Sequence, residues 1–143
     1  WTDEGEVSRA PDGRKPAFAN VKRVFADGLK NKVTQYQHGK DVVPGLMAVA
    51  TTGHTPGHTS YILGTGNDRV FVQSDVTNVP SLFVANPGWH VQFDQDAKQA
   101  EETRRKTYDM LAKDKIRVQG FHFPFPSLGR IEKTKDGYRL SNA

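Results

Sequence analysis

Thr52-Gly53-His54-Thr55-Pro56-Gly57-His58-Thr59 separates two apolar runs, Leu46 to Ala50 and Ser60 to Leu63. Gly53 and Gly57 permit a tight turn, Pro56 fixes one φ angle, and Thr55 and Thr59 can hydrogen-bond locally. A segment built this way holds an imidazole rigidly at the rim of a sheet. Rigidity is what a metal ligand needs, because ligand bonds are short and angle-dependent. Two histidines four residues apart in a loop also suit a structural or surface role, so the flanking sequence has to separate the readings.

Working outward, Val33 to Tyr36, Val42 to Val43 and Leu46 to Ala50 read as strands divided by the turn-favouring pairs His38-Gly39 and Pro44-Gly45. Ser60 to Leu63 and Arg69 to Gln73 form a hairpin around Gly64-Thr65-Gly66-Asn67-Asp68. Ile116 to Phe121 is a buried-type strand, and Arg130 to Lys133 pairs with Tyr138 to Leu140 around Lys135-Asp136-Gly137. Phe18, Val21, Val24, Phe25 and Leu29 fall at helical spacing and predict an amphipathic helix over Ala17 to Leu29. Asp96 and Gln99 resemble a capping box opening a second helix, with Ala97, Ala100, Thr107 and Leu111 on one face, to about Lys113. Trp1 to Pro16 reads as irregular, and Val76 to Gln92 as a long pocket-lining loop. Strands interleaved with two helices indicate an α/β layered domain whose sheet is covered by helices on one face and needs a cover on the other.

Asp75 follows the apolar run Val70-Phe71-Val72, and His122 follows Ile116 to Phe121. With His54, they give three nitrogen or oxygen donors at the ends of separate strands, which is how a sheet assembles a metal site at one edge. The chain has no cysteine, so thiolate ligands and disulfides are excluded. The net charge of +4 raises the question of nucleic acid, but the basic residues are dispersed. The densest group, Arg104-Arg105-Lys106, pairs at i,i+4 spacing with Glu101 and Glu102 and reads as a solvated helix face rather than a phosphate-binding patch. No apolar run approaches the ~20 residues that span a bilayer, so neither a membrane nor nucleic acid is an expected partner. A soluble chain in cytoplasm or periplasm fits equally.

The segments Gly53 to Thr59, Ser74-Asp75-Val76 and Phe121-His122-Phe123-Pro124-Phe125-Pro126 resemble, in order and spacing, the third, fourth and fifth motifs of the metallo-β-lactamase-fold hydrolases. From Trp1 through Gly129, including Trp89-His90-Val91-Gln92-Phe93-Asp94, the chain looks like the methyl parathion hydrolase-like and lactonase-like branch. The resemblance implies the C-terminal half of an αββα sandwich, occupying residues 1–143, and a parent enzyme that hydrolyses an ester, lactone or phosphotriester of a small-molecule substrate. It implies two divalent metal ions, zinc in type, with His54 on the first, His122 on the second and Asp75 bridging both as the catalytic carboxylate. A carboxylate has two oxygens and a negative charge, so it can hold two cations about 3.5 to 4 Å apart where a neutral imidazole cannot. The chemistry expected is metal-activated water. Neither Ser74 nor Ser127 lies in a nucleophile-elbow sequence.

The departures are equally specific. The family's His-x-His-x-Asp-His cluster is absent, since no two of His38, His54, His58, His90 and His122 are separated by one residue. The chain is therefore expected to be a truncated domain, with a natural half-length paralogue as the alternative. Ser74 stands where the family usually has Gly. His58 is expected beside the ligands or in packing, and His90 and Trp89 near substrate or on a solvated rim. Phe83, Trp89, Phe123 and Phe125 read either as a substrate wall or as core. A competing reading is a non-catalytic half-domain that self-associates through its uncovered sheet face or pairs with a missing half, and a homo-oligomer is the expected assembly.

Overall fold

The computed structural model describes residues 2–142, apart from the side chains of Ala26 and Asp27. Trp1, the first residue of the predicted irregular segment and of the resemblance, lies outside the described residues, as does Ala143. The chain divides into two compact units, Trp1–Tyr36 and Gln37–Ala143.

The first unit is helical. Its opening is not irregular: Asp3 accepts the Glu6 N–H at 2.9 Å and caps α1 (Glu4–Arg9). Glu6 and Arg9 then pair one turn apart. The predicted helix over 17–29 begins earlier, at α2 (Lys15–Val21) with Pro16 in its first turn, and continues as a π-helical segment, Lys22–Gly28. The Leu29 N–H donates to Val24 O at 2.8 Å, an i to i−5 bond. Among the described residues Val33 to Tyr36 forms no strand, because β-prone residues describe a fit to a sheet and do not supply one.

The second unit is a seven-stranded sheet in sequence order: β1 (Asp41–Val43), β2 (Leu46–Ala50), β3 (Thr59–Leu63), β4 (Val70–Val72), β5 (Arg117–Gln119), β6 (Leu128–Lys133) and β7 (Tyr138–Asn142). Every neighbouring pair is antiparallel except β4 and β5. That parallel pair needs a long crossover, supplied by the short helix α3 (Pro80–Phe83) and by α4 (Ala97–Asp114). The expected irregular 76–92 loop therefore contains one helical turn, started by Pro80.

Register partners share a face, and Met47, Ile62, Phe71, Val118 and Gly129 form one continuous row across the sheet. Phe71, Val118, Ile62 and Ile131 join Tyr108 and Leu111 of α4 in the core. The opposite face carries the rows Leu46, Leu63, Val70 and Ala48, Tyr61, Val72, Leu128, of which Ala48 is buried, Leu63 exposed and the rest half-buried. Along α4 the buried positions are Ala100, Arg104, Thr107, Tyr108 and Leu111, a helical stripe that contains an arginine. Arg104 is thus no part of a solvated face, although Arg105 does pair with Glu101 at 2.8 Å as the spacing predicts. The capping box is half made. Asp96 accepts the Gln99 N–H at 2.9 Å, while the Gln99 side chain turns to Thr103 and the Asp96 N–H donates to Gly53 O. Among the described residues no helix is long and apolar enough to cross a membrane.

The buried phenols give a direct check on this packing. Burial pushes the Tyr108 phenol up to about 12, against the pull of its hydrogen bond with Thr77. Burial and the Asp109 carboxylate, which accepts the Tyr138 hydroxyl, likewise take Tyr138 to about 12. The unfolded phenols ionise near 10, so their contribution to stability is complete below pH 10 and is lost as pH rises towards 12. Tyrosinate absorbance on titration should show a phase near pH 12 from these two residues, and Tyr108→Phe should remove part of it.

Candidate metal centre

Strand direction brings the three donors to one rim. β2 and β4 are both antiparallel to β3 and so run the same way, and β5 is parallel to β4. The segments after Ala50, Val72 and Gln119 therefore leave the sheet at the same edge, and these carry His54, Asp75 and His122.

The first segment is anchored to α4. Gly53 has φ +130, and a Cβ there would lie 2.3 Å from Ala100 N, so only glycine lets this backbone lie against the helix. The Thr103 hydroxyl donates to Thr52 O at 2.6 Å, and the Gln95 N–H donates to His54 O at 3.1 Å. His54 Nδ1 lies 2.9 Å from Asp94 Oδ1 on a carboxylate that is 1% exposed. Asp94 had no signal of its own in the sequence beyond its place in the 89–94 stretch. A carboxylate set behind an imidazole is, however, the usual support of a metal-ligating histidine.

His58 is committed on both sides of its ring. Nδ1 lies 2.9 Å from both Thr51 O and Thr51 Oγ1, and Nε2 accepts the Asp75 backbone N–H at 3.1 Å. An imidazole that accepts at Nε2 carries its proton at Nδ1, so it is neutral, and both nitrogens are occupied. Burial pushes its pKa down, with the Thr51 hydrogen bond opposing, in keeping with that state. The His54 and His58 rings stand 5.8 Å apart, edge to face. His58 fastens the backbone of Asp75 to the first loop, a positioning contact.

Ser74 has φ +51, a left-handed conformation that glycine adopts without strain, and this accounts physically for the glycine expected at that position. Its hydroxyl lies 3.3 Å from Asp75 Oδ2. The other carboxylate oxygen, Asp75 Oδ1, accepts from His122 Nε2 at 2.9 Å. Burial alone pushes the Asp75 carboxyl up, but the His122 hydrogen bond and the nearby His54, His122 and His58 outweigh it and hold it below the usual carboxylate range. His122 does not close a strand: β5 ends at Gln119, and Phe121 is 76% exposed. It sits in the turn after Gly120, where the Phe123 ring fills the space a Cβ would need.

The remaining candidates separate. His90 Nε2 lies 2.8 Å from Glu101 Oε2 on α4, and Trp89 is half-exposed. Phe83 and Phe123 are core, whereas Phe125 is 96% exposed, so the four aromatic residues form no common wall. A cleft of about 590 Å³ instead runs from His122 past Val79, Pro80, Val84 and Leu140, with Arg139 beside it. His54, Asp75 and His122 thus lie in one row of contacts, but among the described residues no three His, Asp or Glu side chains close around a single point that could hold a metal. The donor types suit a divalent ion, but zinc takes three or four protein ligands, more than these residues bring to one point.

No protein-family profile matches the sequence, and a search of curated proteins finds no match. Solved structures do match. The hydrolase AbOPH, of the β-lactamase superfamily, is 26% identical with a TM-score of 0.85 over 100% of this chain and 51% of its own. AidC, a dizinc quorum-quenching lactonase solved with its product, is 24% identical with a TM-score of 0.82, covering 96% of this chain and 46% of that one. A probable metal-dependent hydrolase from Staphylococcus aureus has a TM-score of 0.60 at 18% identity, over 80% and 42%. The chain spans about half the length of these proteins. Its mixed sheet and helices have the metallo-β-lactamase fold, in an extent consistent with the C-terminal half.

The contact between Gly53 and α4 is the tightest in the site and the simplest to test. Gly53→Ala places a methyl against helix backbone at a strained φ, and should destabilise the protein by roughly 3 kcal/mol. Gly57→Ala, with open space around it, should cost far less. Urea unfolding of the two variants measures the difference.

Proposed function

We propose that this chain, with the fold of one half of a metallo-β-lactamase hydrolase, contributes His54, Asp75 and His122 to a two-metal centre that cleaves an ester, lactone or phosphotriester bond. The observation that carries the reading is the exit of three like-directed strands at one rim, with Asp75 Oδ1 and His122 Nε2 facing each other at 2.9 Å. Residues 1–143 are then a partial domain, and the remaining ligands come from outside it. The dizinc character of AidC favours zinc.

His54 would hold one ion, His122 the other, and Asp75 both. Such ions, when bound, activate water near neutral pH and polarise a carbonyl or phosphoryl oxygen. The chain's own residues do the positioning. Asp94 orients His54, His58 fixes the backbone of Asp75, and Ser74, at positive φ, turns the backbone just ahead of Asp75. The apolar cleft beside His122 fits the non-reacting arm of a small-molecule substrate.

A second reading, a half-domain that associates with itself, is favoured by the half-buried apolar residues Leu46, Val70, Val72 and Leu128 with exposed Leu63 on the face away from α4. The isolated chain tests both readings. With three ligands divided between two ions, it should bind Zn²⁺ or Co²⁺ only weakly and show no enzymatic turnover of lactones or phosphotriesters. Light scattering should give a dimer or larger, because a second copy can cover Leu63 and its half-buried neighbours. A monomer with two tightly held metals and real turnover would overturn both statements.

Asp75→Asn should abolish Co²⁺ binding, since it removes the charge between two cations, whereas His58→Asn should weaken it by about tenfold through misplacement alone. Cobalt absorbance titrations compare them directly, and equal losses would mean that ligand and support have been interchanged.

A further inference from the structure

Arg104 is a fully buried charged residue, at 1% exposure in the core stripe of α4. An arginine there is costly, because taking a guanidinium from water removes several kcal/mol of solvation, and an apolar residue of similar volume would pack at no such cost. Its partners show what the charge does. Nε donates to Val76 O at 3.0 Å, and one terminal nitrogen donates to Pro87 O at 2.8 Å and Trp89 O at 2.9 Å. The guanidinium carbon lies 4.8 Å from the centre of the Phe83 ring. The other terminal nitrogen stands 3.5 Å from Asp94 Oδ2, an oxygen that is buried and, among the described residues, makes no hydrogen bond. One planar cation therefore gathers the two ends of the 76–89 crossover and stands as counter-charge behind the buried carboxylate that touches His54.

We propose that Arg104 is a positioning residue of the metal centre, holding Asp94 in place so that Asp94 in turn sets the orientation and tautomer of the His54 ring. The proposal rests on the reading of His54 as a ligand. With Asp94 Oδ1 taking the Nδ1 proton at 2.9 Å, Nε2 becomes the unprotonated nitrogen, the form a metal requires. Without Arg104 the carboxylate is buried with no counter-charge and the three carbonyls lose their donor, so both the acceptor and the loop carrying it are released. Lysine cannot replace it, since one ammonium with three donors lacks the planar fork that serves four separate oxygens.

The test uses the full chain with Arg104→Lys, Arg104→Met and, as a surface control, Lys106→Ala. Long-range ¹H–¹⁵N spectra of the imidazoles report the His54 tautomer without metal, and Co²⁺ titration reports affinity. Wild type and Lys106→Ala should show the Nδ1–H form at His54. Arg104→Lys should shift that ring towards a mixture and lower Co²⁺ affinity by at least threefold, and Arg104→Met by tenfold or more. If Arg104→Met does not fold, Arg104→Lys decides. A His54 spectrum unchanged in Arg104→Lys, with only thermal stability reduced, overturns the proposal and leaves Arg104 a structural residue. The metal reading fails separately, if wild type binds Co²⁺ no more tightly than Asp75→Asn, and the two failures are distinguishable because the ring spectra need no metal.

Discussion

The parallel pairing of β4 with β5 is the constraint on which the rest of the second unit depends. Antiparallel neighbours can be joined by a few residues, but a parallel neighbour obliges the chain to return to the starting edge before it pairs. That return is the segment from Gln73 to Ile116, which carries Asp75, the 76–94 loop and α4. The same pairing aims β2, β4 and β5 in one direction, so their trailing residues share a rim. Core and candidate site are two results of one topological decision: α4 covers the helix-side row of the sheet with one flank and supports the His54 loop with its first turns.

What was legible in the sequence was what local chemistry controls. The 60–63 and 70–72 hairpin, the β6–β7 hairpin and the start of α4 were readable because alternation, turn residues and a capping aspartate are short-range signals. Val33 to Tyr36 misled because β-propensity describes a residue's fit to a sheet and does not supply the partner strand. Arg104 misled for the opposite reason. Its neighbours Arg105 and Lys106 are exposed as their type suggests, and only carbonyls brought in from residues 76, 87 and 89 make burial of the third cation tolerable.

The candidate site divides in the same way. The residue types of His54, Asp75 and His122, each following an apolar run, were visible in one dimension, and in the structure His58 lies between His54 and Asp75, which touches His122. The supporting contacts were not visible, because each joins residues far apart in sequence: Asp94 to His54, His58 to the Asp75 backbone, Arg104 to Asp94. Ser74 is the exception, since a residue other than glycine at that position was flagged by resemblance before its positive φ gave the physical reason.

The strand order of the sheet is the order of the chain, and this bears on how the unit is assembled. Every ladder but one joins strands that are linked by short connections and can zip in the manner of hairpins. The exception joins Val70 to Arg117, Phe71 to Val118 and Val72 to Gln119 across the whole crossover. The entropy of loop closure is therefore concentrated in a single event, and contacts of long sequence separation are those that slow folding. Two hairpin-built halves, β1 to β4 and β5 to β7, wait on the docking of α4. The residues that complete that step are the ones that bring the Asp75 and His122 rims together, so the search that limits folding is the same search that creates the site.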